Sequence, residues 1–262
     1  MGVRLAVICL LAVAPVAAQD FSGIAEPLVG DRPDFTESTS TIPRGHVQVE
    51  GGVTFSRVED EEAQSLGEVL VRFGLGERVE ARIGAGSYVR IDTGVPGAGR
   101  TTGFEDPSLG MKVRLTPDDP DLLPPGRPTM ALLLATSIPA GDEELTDDEW
   151  VPDAKLALSW SLTDRWSLSS NLNYAYPVDG NDRFHQFSAS LSGGVSLTGR
   201  LGAFVEYFGF TEETDGGPDT HYLDGGVTFG ISNDLQLDAR IGFGLNDPSP
   251  EWFAGVGAIV RF

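Results

Sequence analysis

The stretch Leu235-Gln-Leu-Asp-Ala-Arg-Ile-Gly-Phe-Gly-Leu245 decides the fold. Leu235, Leu237, Ala239, Ile241, Phe243 and Leu245 occupy one parity, and Gln236, Asp238, Arg240, Gly242 and Gly244 the other. A repeat of two puts these sets on opposite faces of an extended strand, because successive side chains of a strand point to opposite sides. Residues 252–262 repeat the pattern, with Trp252, Ala254, Val256, Ala258, Val260 and Phe262 against Gly255, Gly257 and Arg261. Val79–Ala85, Ala154–Trp160 and Phe187–Val195 alternate in the same way, and helical periodicity is absent.

The same reading predicts about twelve strands, near 45–56, 66–75, 79–91, 105–115, 129–138, 151–162, 166–177, 184–197, 201–211, 220–231, 235–245 and 252–262. Their connections alternate as well. Residues 76–78, 163–165, 198–200 and 233–234 are tight polar turns, whereas 57–65, 92–104, 139–150, 212–219 and 246–251 are longer. Short periplasmic turns facing longer extracellular loops is the layout of an outer-membrane barrel. Two connections depart from it: 117–128 is long where a short turn is due, and 178–183 is short where a long loop is due.

Alternation by itself suits a soluble sandwich as well as a membrane barrel. Three features favour the barrel. The polar parity carries charges of both signs, Glu50, Arg72, Glu80, Arg82, Arg90, Lys112, Arg114, Lys155, Asp238, Arg240 and Arg261, which suits a wet, charge-paired lumen. Aromatic residues gather near strand ends, with Trp160, Trp166 and Phe262 toward one rim and Tyr176, Phe187, Tyr207, Tyr222 and Trp252 toward the other; such rings favour the headgroup level. The chain also ends on an aromatic residue, Phe262, which suits the signal read by the barrel-assembly machinery. A strand in hydrocarbon needs every backbone N–H and C=O paired, which a closed sheet alone provides. The predicted fold class is therefore all-β, an antiparallel transmembrane β-barrel over 45–262.

Residues 1–18 read as a cleaved secretory signal, with Arg4, the apolar run Leu5–Val13, and small residues ending at Ala18. No later run approaches the roughly 20 apolar residues of a membrane helix. Residues 19–44 form an N-terminal segment, periplasmic or lumenal. A formal charge of −21, from 39 acidic against 18 basic residues, disfavours a nucleic-acid partner. Cys9 is the single cysteine, so the mature chain has no disulfide scaffold and no Cys-ligated metal.

Asp31-Arg-Pro-Asp-Phe-Thr-Glu-Ser38, followed by Pro43-Arg-Gly-His-Val-Gln-Val-Glu-Gly51, resembles the opening of a bacterial outer-membrane "transporter" family named for the MetA pathway of phenol degradation. Further matches are Gly103–Leu115, Ser137–Asp142, Leu223–Thr228 and Leu235–Asp247; Glu105-Asp106-Pro107 departs from the family's more usual Gly-Asp step. The resemblance implies passive uptake of small aromatic or apolar compounds and brings no catalytic residues. The alternatives are a non-conducting structural or surface-interaction barrel and a lipid-modifying enzyme.

Asp31, Arg32, Asp34 and Glu37 are candidates for a plug in the barrel mouth, the acidic ones facing lumenal cations such as Arg72, Arg82, Lys112, Arg114 or Arg240. Composition fits a mobile periplasmic leader equally well. Acidic clusters at 59–62, 142–144, 147–149 and 212–215 are solvated loop tips, with divalent-cation binding beside lipopolysaccharide as the sharper reading. The histidines, His46, His185 and His221, lack zinc spacing, and no Gly-x-Ser-x-Gly turn is present. Expected partners are outer-membrane lipid and lipopolysaccharide, the assembly machinery and small solutes, with no cofactor.

Overall fold

In a computed structural model, residues 22–58, 61–93, 99–117, 122–146, 148–180, 182–247 and 249–262 are described. The predicted signal at 1–18 and part of the acidic stretch 59–62 lie outside them. Sixteen strands are found among the described residues: β1 (Val47–Val58), β2 (Glu61–Gly74), β3 (Val79–Gly84), β4 (Tyr88–Asp92), β5 (Arg100–Phe104), β6 (Ser108–Arg114), β7 (Thr129–Ser137), β8 (Pro152–Ser161), β9 (Trp166–Ala175), β10 (Val178–Asp179), β11 (Asp182–Arg183), β12 (Gln186–Ser196), β13 (Leu201–Phe210), β14 (Thr220–Gly230), β15 (Leu235–Gly244) and β16 (Trp252–Arg261).

Successive strands pair antiparallel, and the sheet closes where β1 meets β16, from Gln48↔Arg261 to Arg57↔Trp252. β3 and β4 both pair with β2 and run in line as one barrel strand; β5 and β6 form the next. The barrel therefore has twelve strands. Four turns close one end by the same bond, from the N–H of Leu75, Leu162, Leu197 or Ile231 to the carbonyl of Val79, Trp166, Leu201 or Leu235. In the short connection at the loop end, Val178 and Asp179 pair with Arg183 and Asp182 as the small β10–β11 ladder. The first long loop is shorter than expected, because β1 and β2 stay paired out to Val58↔Glu61.

The apolar parity faces outward. Leu237, Ile241, Phe243 and Val256 are 44%, 53%, 50% and 54% exposed, and Leu191, Val205, Leu223 and Val227 continue the band. A band of this extent on a folded monomer marks a membrane or interaction surface. The inward parity holds the fully buried side chains Gln48, Glu50, Arg72, Glu80, Lys112, Asn171 and Glu206.

An irregularity changes the parity in one part of the wall. Gly67 and Glu68 have left-handed backbone, φ 106° and 42°, where the β1–β2 register shifts. Beyond this bulge Leu66 and Gln64 pair with Tyr88 and Arg90, and Leu66 and Tyr88 are both exposed. Bulges re-aim side chains in this way. Arg90, expected to line the lumen, consequently stands apart from the other charges and pairs with Asp92 at 2.8 Å. Tyr222, expected at the outer rim, is corrected too: it shares the parity of Asp224 and is buried among lumenal rings.

Candidate functional site

The lumen is occupied by the chain that precedes β1. At the short-turn end, Ser22 donates its backbone N–H to Asp234 (2.8 Å), and Leu28 donates to the carbonyl of Asn233 (2.7 Å). Arg261 holds Asp234 at 2.7 Å and donates to the carbonyl of Glu26 at 2.8 Å. The segment then enters the barrel, turns near Phe35 and returns. It leaves where Ile42 donates to Glu80 (2.8 Å) and Gly45 donates to the carbonyl of Gly74 (2.9 Å).

One side of this leader meets a buried ionic cluster. The wall supplies Glu50 and Glu80 against Arg72, Arg82 and Lys112, with Arg72–Glu50, Arg72–Glu80 and Arg82–Glu80 each at 2.9 Å. Asp31 adds the third carboxylate, at 2.6 Å from Arg82, 2.8 Å from Lys112 and 3.2 Å from Arg72. Burial opposes its ionisation, but the charges of Arg72, Lys112 and Arg82 outweigh burial and hold the carboxyl well below its usual range. Ser38 donates its N–H (2.9 Å) and hydroxyl (2.7 Å) to the same carboxylate, which ties the outgoing and returning arms together. Glu37 bridges Arg82 (2.7 Å) and Lys155 (2.6 Å), and these cations, overcoming burial, lower its pKa to about 2.

Arg32 points the opposite way, to Glu68 at 2.5 Å and Asp238 at 3.4 Å. Its path runs over Gly52 and Gly257; a Cβ on either would stand 2.3 or 2.4 Å from the guanidinium, so these glycines make the groove it lies in. Asp238 and the bulge residue Glu68 thus complement the leader's cation, as Lys112 and Lys155 complement its carboxylates.

The turn itself is held by the wall of β12–β15. Glu206 accepts the N–H of Phe35 (2.6 Å) and of Thr36 (2.8 Å), and the Thr36 hydroxyl reaches Ser190 at 2.6 Å. Arg240 donates to the carbonyl of Pro33 at 2.9 Å. Phe35 stacks on Phe208 with centroids 4.5 Å apart and meets Phe210 edge-on at 5.4 Å; Tyr222 and Phe253 complete the ring cluster. Asp34 accepts a bond from the Ser192 hydroxyl at 3.2 Å, while burial and then the charge of Glu206 push its carboxyl well above the usual value.

Of the residues named from sequence, Glu50, Arg72, Glu80, Arg82 and Lys112 meet directly around Asp31, while Lys155, Asp238 and Arg240 each reach another part of the leader. Arg114 lies nearer the short turns and donates to the carbonyl of Glu77 at 2.5 Å. Glu68, Glu206 and the inner aromatic cluster were missed. Glu206 carries a signal, a lone charge between Val205 and Tyr207, but Phe204, Phe208 and Phe210 share its parity and mask it. His221 sits between the Tyr207 hydroxyl (2.7 Å) and Asp219 (2.5 Å), and His185 beside Tyr174 (3.0 Å), on the outward parity near the loop end.

The sequence profile of the family described as "Putative MetA-pathway of phenol degradation" matches residues 30–262. The chain belongs to this family. Its match begins at Gly30, so the phenol-degradation family pattern takes in the seated leader as well as the wall. A comparison with curated protein sequences found no match. Among solved structures, the fold is similar to an outer-membrane channel from Pseudomonas putida F1, with a TM-score of 0.66 and 15% identity over 88% of this chain and 99% of that one. It is also similar to the NanC porin (TM-score 0.54, 10% identity, 82% of this chain and 98% of that one). The KdgM porin is similar at TM-score 0.54 and 7% identity, over 82% of this chain and 99% of that one. This member of the MetA-pathway family is thus an outer-membrane β-barrel.

Proposed function

We propose that the protein is a passive outer-membrane channel for small aromatic or other apolar compounds, closed at rest by residues 31–38. The observation that carries this reading is how the lumen is filled. The wall is a complete twelve-stranded cylinder without the leader, and hydrogen bonds, ion pairs and one stacked ring hold the leader in place. Such contacts form and break without covalent change. A barrel of this strand number lies between small barrels packed shut by side chains and 16-stranded open porins, a width suited to small solutes. The family name and the similarity to porins support the solute class and the passive mode.

Flux into proteoliposomes tests it, comparing phenol with a sugar of similar size, and the intact chain with one lacking 31–38. Faster phenol uptake, and higher single-channel conductance after the deletion, are expected. The densely paired lumen favours one rival reading, a non-conducting structural barrel, which predicts no conductance in either form. We propose further that Phe262 is read by the assembly machinery, and that the acidic loop tips at 142–144 and 212–215 stand solvated at the lipopolysaccharide surface.

A further inference from the structure

Beside the leader, a cavity of about 120 Å³ opens in the lumen between β3, β6, β7 and β8. Leu70, Leu133, Ala135 and Gly110 give it an apolar floor, while Arg82, Lys155 and Glu37 form its charged rim. An apolar void of about 150 Å³ takes up benzene, so this smaller, open-sided space admits at most one aromatic ring, with its polar substituent at the rim. The rim has an unusual construction. Glu37 spans the two cations with one oxygen each, Oε2 on Arg82 at 2.7 Å and Oε1 on Lys155 at 2.6 Å. Lys155 is the most exposed of the three, at 30% against 10% for Arg82 and 13% for Glu37, so a solute in the cavity meets its ammonium first.

We propose that this cavity binds small aromatic monocarboxylates, whose carboxylate takes the place of Glu37 on Lys155 and Arg82 and thereby loosens the leader. The inference rests on the channel reading above and names its solute class and its trigger. Ring and carboxylate of such a solute match floor and rim together. The incoming group can reproduce both of Glu37's bonds, so the cations remain paired during the exchange, as buried charges require. Once displaced, the Glu37 side chain no longer anchors the returning arm, which is then held by Ser38 on Asp31, the Ser40 carbonyl on Arg72 and Ile42 on Glu80. Asp153 lines the same cavity, so a second negative charge on the solute meets repulsion and monoanions are favoured.

The test uses the folded full chain in detergent, titrated calorimetrically with benzoate, benzyl alcohol and phthalate, with heat-modified gel mobility as the check of folding. Benzoate is expected to bind more tightly than the other two. Lys155→Gln should weaken benzoate at least about tenfold, and Glu37→Gln, which removes the internal competitor, should strengthen it by a similar factor. Equal binding of benzoate and benzyl alcohol by the wild type overturns the inference even if a variant fails to fold, as does benzoate binding indifferent to both substitutions. Planar-bilayer conductance separates the two readings. A barrel that conducts without preferring benzoate sinks this inference alone, and one that binds benzoate through Lys155 but passes no ions sinks the channel reading alone.

Discussion

Lys112 has no exposed surface, and its close carboxylate is Asp31, with Glu80 farther off at 3.9 Å. Removing one partner from a buried ion pair costs about 3–5 kcal/mol, because the survivor keeps its desolvation penalty. Asp31→Asn should therefore release the leader while the wall stays closed. Faster proteolysis of residues before Val47, with unchanged heat-modified mobility, is the expected result. Asp34 works in the opposite sense. Its raised pKa means that the seated leader prefers it protonated, so its stabilising contribution is complete below its ordinary 3.8 and is lost as pH rises through the raised value. Asp34→Asn should raise the thermal stability of the seated state at neutral pH, with the gain shrinking as pH falls toward 3.8. For Glu37, lowered to about 2, stability is present above its ordinary 4.5 and fades as pH falls toward 2, so acid should free the leader from Lys155. Protease sensitivity across that interval checks the sign.

At the scale of the element, the bulge in β2 turns geometry into charge placement. Gly67 at φ 106° ends the parity that Glu68 shares with Arg72, so Glu68 faces Arg32 in the lumen while its neighbour Leu66 turns outward. Gly67→Ala forces a side chain into a backbone region that costs on the order of 1–3 kcal/mol. It should lower the melting temperature and weaken leader seating, measurable by the same proteolysis. The period of two made the barrel strands legible in sequence, down to the tight turns around Arg78, Arg165, Arg200 and Asp234. The parity change at Gly67-Glu68 was not legible, since a glycine inside a strand does not announce which neighbour it re-aims, and Arg90 was misplaced for that reason. The aromatic cluster was hidden differently: Phe208 and Tyr207 are both apolar, so hydrophobicity cannot say which faces inward. That Asp31 would face lumenal cations was expected from charge alone; which of them it reaches, such as Lys112 81 residues away, leaves no local trace.

For the whole molecule, the two faces exchange the usual roles of protein core and surface. Charges lie inside, and Leu237, Ile241 and Val256 lie outside. A cation on that outer band near the bilayer midplane costs about 2–4 kcal/mol. Ile241→Arg should lose about that much stability in liposomes, read by denaturant titration of folded barrel, whereas the same substitution on a solvated face would be nearly neutral. Freely soluble, monomeric protein in the absence of detergent would contradict the arrangement.

The seam between β1 and β16 also bears on biogenesis. Val47 and Phe262 exchange backbone bonds at 3.1 and 2.8 Å, and Arg261 beside them grips both Asp234 and the stretch ahead of the first strand. The earliest-made lumenal residues therefore find their last anchor only when the final strand arrives. Asp31 meets its counter-charges on β2, β3 and β6, but Arg32 waits for Asp238 on β15 and the Glu26 carbonyl for Arg261 on β16, so zipping the cylinder shut and stoppering it finish together.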